Sequence, residues 1–454
     1  MKFYKFIILI ILIHYLASSE IIYEFKRDFE LNKAMSEESI YSKLFYNDIY
    51  TYVKLGTPSK ELKVGITFQS KSLAILGSNI KNRNIFDETL SSSYTSISKI
   101  FCYQSQMLDA NISEEYIYLN NINKNEKIKF VLITELGKEN LTENIFEPIY
   151  FSGYIGLAMN KQFENDFPDS LPIYLSENYK DKYNSAFSIK FNIKEPGNYN
   201  GKLIMNGYPH EYDKINYNIK QYKTTRTQSL DYMSDWCISI DNAYYGKNSV
   251  IQNNYIVFRI EFGIILAPDN FMKHLTDNYF EKYGDKCEIK KLKLMYEDYK
   301  FYVCSKSIDI TKMQNISFEL KENNFNFTLD YKDLFYEYNN KYYFLIATRT
   351  SSSTLHDFII GSVLMKKYDF VFDKYKSSIG FYDLSIIIDN KEKNYFLIFI
   401  IVISVLCLLI ILLIIYFVWK YMNKPRISRK NEINDDYNYI SGINSEENNN
   451  KNVE

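Results

Sequence analysis

Apolar and polar residues alternate in short runs from about residue 49 to residue 383, and at either end the alternation gives way to unbroken apolar stretches. Ile49-Tyr50-Thr51-Tyr52-Val53-Lys54-Leu55 alternates, turns at Gly56-Thr57-Pro58 and resumes as Leu62-Lys63-Val64-Gly65-Ile66. Period-2 runs closed by turn residues predict strands. The same reading holds for Phe187-Ser188-Ile189-Lys190-Phe191, Leu203-Ile204-Met205, Phe325-Asn326-Phe327-Thr328-Leu329 and Tyr342-Tyr343-Phe344-Leu345-Ile346. Residues 358–383 close the series with Phe358-Ile359-Ile360 before Gly361, then Tyr368-Asp369-Phe370-Val371-Phe372, then Ile379-Gly380-Phe381-Tyr382.

The terminal stretches carry a different message. Residues 1–19 combine Lys2 and Lys5, an apolar run from Phe6 to Leu16 and the small residues Ala17-Ser18-Ser19. That order predicts a secretory signal, with the mature chain starting near Glu20. Residues 395–419 contain no charge, carry Tyr395, Phe396, Phe417 and Trp419 at their ends, and are followed by Lys420, Lys424, Arg426, Arg429 and Lys430. A transmembrane helix with its basic flank in the cytosol is expected, hence a single-pass protein whose ectodomain is lumenal or extracellular. Its place is then a membrane of the secretory or endolysosomal pathway, or the plasma membrane. Residues 420–454 read as a disordered cytosolic tail, in which Tyr437-Asn438-Tyr439-Ile440 has the form of a sorting signal. Residues 20–47 are mixed and charged, a short lead-in that is partly helical or flexible.

Net charge is −1, with 54 basic against 55 acidic residues, so no overall field recruits nucleic acid. Of the 5 cysteines, Cys407 falls inside the apolar span and none of the others has C-x-x-C spacing. With only 4 histidines as well, no metal site and no cofactor is expected. N-x-S/T triplets at Asn111, Asn140, Asn315 and Asn326 all precede the span, on the side where glycosylation occurs.

Residues 358–383 resemble the C-terminal signature of pepsin-like (A1) aspartic proteases: an apolar-apolar-Gly turn, a short helix, a V-F-D strand and an I-G-F strand. The resemblance extends over about residues 48–385. Gly56-Thr57-Pro58 resembles the opening hairpin, and Ser91-Ser92-Ser93-Tyr94 the serine-rich turn before the flap. Ser152 to Ala158 resembles the D-G-I-L-G-L segment, Trp236-Cys237-Ile238 the W-x-I strand, and Leu266-Ala267-Pro268 the T-A-P stop. What it implies is a bilobal all-β fold with a long cleft between an N-terminal lobe, residues 48–208, and a C-terminal lobe, residues 209–385. It also implies a disulfide between Cys287 and Cys304, which sit where the family has its C-lobe bridge. Whether Cys102 and Cys237 pair stays open.

Carried onto this chain, the catalytic Asp-Thr-Gly loops fall on Thr67-Phe68-Gln69, followed by Ser70, and on Arg259-Ile260-Glu261. The flap tyrosine falls on Tyr103, with Gln104, Gln106 and Ala110 at places where relatives often have Gly. Aspartic proteolysis needs two carboxylates sharing one proton. A hydroxyl at Thr67 and a guanidinium at Arg259 supply neither. Glu261 is an acid without a matching partner and is expected to neutralise Arg259. Active relatives usually carry a longer basic pro-segment, and this lead-in is short and not strongly basic. The expectation is therefore a membrane-anchored pseudoprotease that binds a peptide or protein in its cleft or presents its lobes as an adhesion or scaffold surface. An active aspartic endopeptidase is the alternative if the loops are misaligned.

Overall fold

The computed structural model describes residues 20–27, 29–80, 85–100, 109–120, 124–135, 151–159, 167–179, 182–193, 199–228, 236–294, 297–350, 357–386 and 391–423. Strands dominate, as the alternation requires. Along Ile49–Leu55 every second residue is buried, so Ile49, Thr51, Val53 and Leu55 enter the core while Tyr50, Tyr52 and Lys54 turn outward. The strands form a 13-stranded and a 10-stranded sheet.

Pairing order shows why the chain makes two lobes. In the first, the hairpin Ile49–Leu55 with Lys60–Thr67 leads to a parallel pairing of Lys60–Thr67 with Gly153–Gly156. Gly153–Gly156 pairs antiparallel with Leu73–Leu76, which runs parallel to Lys124–Glu135. Asp109–Leu119 joins Lys124–Glu135 back to Ile49–Leu55, so the strands close into a barrel with no exposed edge along that seam. The second lobe repeats the order: Cys237–Tyr245 with Asn248–Phe258, then Phe358–Ile360 in parallel, Ile265–Leu266 antiparallel, and Lys341–Arg349 parallel again. The larger sheet also runs on from Ile49–Leu55 through Ile21–Arg27, Tyr199–Met205 and Phe187–Ile193 to Phe370–Asp373, Ser378–Tyr382 and Tyr222–Arg226. C-terminal strands thereby share a sheet with N-terminal ones. Beneath the junction Trp236, Phe187, Phe258 and Phe372 pack ring against ring, and the Trp236 Nε1–H donates to the Leu157 carbonyl at 2.7 Å.

The lead-in is built into this frame. Ile21–Arg27 pairs with both Tyr199–Met205 and Ile49–Leu55. Glu37–Phe45 is a helix, capped by Ser36, whose Oγ accepts from Ser39 N, with Glu37 and Glu38 in the first turn and Lys43 in the last. Ile40, Tyr41, Leu44 and Phe45 are buried against Val257, Leu292, Phe301 and Val303 of the second lobe. Tyr41 stacks on Phe301 at 3.5 Å and donates its hydroxyl to the Phe344 carbonyl at 2.9 Å. At the other end of the helix, Arg27 Nη2 donates to the carbonyls of Lys43 and Tyr46, each at 2.8 Å, which meets acceptors that a helix C-terminus leaves open.

Cys287 and Cys304 are bonded, across paired strands Cys287–Leu294 and Glu297–Ser305. Cys237 is buried, and Cys102 lies outside the described residues, as do the signal segment and residues 424–454 of the tail. Residues 388–454 form a separate unit, in which Lys391–Met422 is one helix. Its stretch Val402–Lys420, mean hydropathy 3.1, is long and apolar enough to cross a membrane.

If the lead-in is structural, Phe45→Ala costs about 3–5 kcal/mol, the usual range for emptying a buried ring site. Urea unfolding of the protein measures it, and a loss below about 0.5 kcal/mol, typical of surface changes, would mean that the segment is a detachable cover.

Candidate functional site

Two loops meet where the two lobes join, each emerging from a strand with a parallel neighbour. Thr67 ends Lys60–Thr67 and lies opposite Gly156, while Arg259 follows Asn248–Phe258 and its N–H donates to the Ile360 carbonyl at 2.9 Å. The two positions are equivalent in the repeated pairing order. Behind each loop stands a glycine that backbone approaches too closely for a side chain. A Cβ on Gly156 would lie 2.4 Å from Ser72 O and 2.5 Å from Ser70 O, and one on Gly361 would lie 2.2 Å from Phe262 O and 2.5 Å from Ile264 O.

Glu261 ties the loops together. Its Oε1 accepts hydrogen bonds from the Thr67 hydroxyl, from Phe68 N and, at 2.8 Å, from Gln69 N. Gln69 N also donates to Thr67 Oγ1 at 3.0 Å. The acid expected to answer Arg259 thus sends this oxygen across to the first loop. Hydrogen bonds to an ionised acceptor are the strong kind, and here they join residues from separate lobes. Oε2 of Glu261 is buried and has no hydrogen-bond partner among the described residues. Arg259 crosses in the same direction, donating from Nη1 to Phe68 O at 3.4 Å.

Phe68 and Ile260, at the middle of each loop, are both 0% exposed. Phe68 sits edge-on to Phe372 with ring centres 5.0 Å apart, so the first loop is propped from below by the aromatic core. Ser70 is buried too, its carbonyl accepting from Ala158 N at 2.9 Å.

The second loop is also gripped by the lead-in. Asn47 donates its backbone N–H to the Glu261 carbonyl at 2.6 Å and its Nδ2 to the Ile260 carbonyl at 2.7 Å. Gly263 N donates to Phe45 O at 2.7 Å. Beside the loops Tyr154 lies half-buried, and burial holds its phenol well above the ordinary range, with the Asp48 and Glu261 carboxylates pushing the same way. Asn47, Asp48 and Tyr154 do not stand out in the sequence, because what makes them part of the site is a partner far along the chain.

Other predicted positions divide as follows. Tyr103 and Asn140 lie outside the described residues. The serine-rich turn is anchored on Glu115, fully buried, which accepts from Ser91 Oγ at 2.5 Å and from Ser93 Oγ. Asn315 and Asn326 are exposed, whereas Asn111 is half-buried within Asp109–Leu119 and paired on both sides.

The bilobal β-frame and its paired loops define the pepsin-like class. The chain belongs to the eukaryotic aspartyl protease family, which it matches over residues 48–384. No curated protein matches it.

Removing the bridging carboxylate strands its donors, so Glu261→Ala should cost about 2 kcal/mol while Glu261→Gln, which keeps an acceptor oxygen, costs less. Thermal unfolding of the two variants distinguishes them, and equal stability of wild type and Glu261→Ala would show that the bridge contributes nothing.

Proposed function

We propose that this membrane-anchored family member is a pseudoprotease that holds an extended peptide or protein segment in the cleft between its lobes. The observation that carries the reading is the hydrogen-bonding of Glu261: one carboxylate takes a hydroxyl and two backbone amides where peptide hydrolysis in this family uses two carboxylates. In that chemistry one ionised oxygen activates a water and its protonated partner donates to the scissile carbonyl. Thr67 does not ionise in the useful range and Arg259 does not give up a proton, so the two loops lack both halves of the pair.

Binding asks less of the same groups. A guanidinium such as that of Arg259 is suited to a carboxylate or carbonyl oxygen. The fold supplies the cleft, and its function has to be argued from the residues in it. Family membership by itself supports the competing reading, an active aspartic endopeptidase. The ectodomain is taken to be lumenal or extracellular, with the chain in a secretory-pathway or plasma membrane.

The deciding experiment incubates full-length protein in detergent with an unbiased peptide library from acidic to neutral pH, beside Thr67→Ala and Arg259→Ala. No cleavage, with retention of a subset of peptides, is the expected result. Cleavage by the wild type that a pepstatin-like inhibitor stops would establish the endopeptidase instead.

The same topology makes a second prediction. Asn315, exposed ahead of strand Ile316–Leu320, carries a glycan, and Asn111 does not. A glycosidase-sensitive mobility shift lost in Asn315→Gln and kept in Asn111→Gln is expected; an unchanged shift in Asn315→Gln would remove Asn315 from the modified sites.

A further inference from the structure

The outer face of the N-terminal barrel carries a set of aromatic rings that the core does not account for. Tyr52 is 44% exposed and Tyr116 39% exposed, and both belong to strands whose alternate residues are buried. Tyr50 and Tyr118 are half-buried on the same side. Tyr50 lies opposite Gly65, Tyr52 opposite Lys63, and Lys54 opposite both Glu61 and Tyr118. Gly65 is bare for a reason, since a Cβ there would come within 2.6 Å of the Tyr154 ring, which takes that space. Phe151 joins Tyr154 to Tyr50, with ring centres 5.9 and 6.0 Å apart.

The strand beneath these rings leads toward the two loops. Residues 63, 65 and 67 share one side of their strand, so the rings run from Tyr118 and Tyr52 through Tyr50 and Tyr154 toward Thr67 and Glu261. Away from the loops the lysines of this face outnumber its acids. Lys63 Nζ stands 3.8 Å over the Tyr50 ring and Lys54 Nζ 5.6 Å over that of Tyr118. Lys127 and Lys129 lie opposite Tyr116 and Glu114 on the next strand. The acids among them are Glu24, Glu61 and Glu114; Glu24 pairs with Lys202 at 3.7 Å and Glu114 with Lys127 at 3.1 Å. Asp48 and Glu261 lie at the cleft end.

We propose that this face is a docking platform for an extended, acidic, proline-bearing segment of a partner protein, whose continuation enters the cleft. The inference rests on the binding role proposed above and names the class of ligand. Exposed tyrosine faces suit proline rings, and a polyproline-type segment is already extended, so it loses little entropy on docking. The lysines over and between the rings supply the complement to acidic side chains, and they do so as rim charges that steer encounter and respond to salt. The platform is built on strands of a closed barrel, so its rings keep their spacing without a ligand.

The test is fluorescence anisotropy with full-length protein in detergent and a fluorescein-labelled Glu-Pro repeat peptide, with a Lys-Pro repeat as the opposite charge. Binding of the acidic peptide alone, weakened by added salt, is expected. Joint Tyr52→Ala and Tyr116→Ala should weaken it about tenfold, in line with losing aromatic anchors. Charge reversal by Lys54→Glu with Lys63→Glu, a second route that leaves the rings in place, should weaken it at least as much and flatten the salt dependence. Equal binding of both peptides, or full binding by both double variants, overturns the platform. If library peptides bind and are lost in Arg259→Ala but not in the tyrosine variant, binding is confined to the cleft: the platform fails and the cleft reading stands. Failure of every peptide to bind overturns both.

Discussion

A carboxylate from one lobe accepting hydrogen bonds from the backbone of the other is the contact on which the centre of this molecule depends. Glu261 Oε1 faces Thr67, Phe68 N and Gln69 N. Donors buried this close to an aromatic core are expensive to leave unpaired, so the loops are held at the separation that lets the carboxylate reach. Everything behind them is arranged to permit that approach. Gly156 and Gly361 let backbone close up behind each loop, Phe68 and Ile260 fill the space beneath with apolar atoms, and Trp236 locks the layer below by its bond to Leu157 O.

The lead-in is the second constraint. It adds a strand to the sheet shared by the lobes and a helix to the outside of the C-terminal lobe, then passes Asn47 directly against the second loop. A residue bound by two hydrogen bonds to Ile260 and Glu261 is part of the floor of the site. Arg27, from the strand, caps the helix that delivers Asn47, so strand, helix and loop are mechanically one piece.

Charge placement separates the cleft from the surface beside it. Asp48 and Glu261 lie close enough to Tyr154 to hold its phenol protonated, together with burial, while lysines gather over the rings further along the same face. A ligand lying along both would meet acids first and cations later.

Local sequence determined a good deal. Alternation fixed the strands and their buried faces, as in Ile49–Leu55, because a period of two in polarity has one solution on a pleated sheet. The long uncharged run near residue 400 fixed an apolar helix by length alone. The Cys287–Cys304 bridge followed from the resemblance and is present. The helix Glu37–Phe45 was only half legible, being short and flanked by charges, and its burial comes from a groove on the other lobe. The role of Glu261 was decided by tertiary structure: its partner Thr67 is 194 residues away, and no local pattern says which of two neighbours a carboxylate will choose. Composition and periodicity can state which faces are apolar. Only the folded chain, by bringing two distant turns within hydrogen-bonding reach, settles which polar groups answer one another.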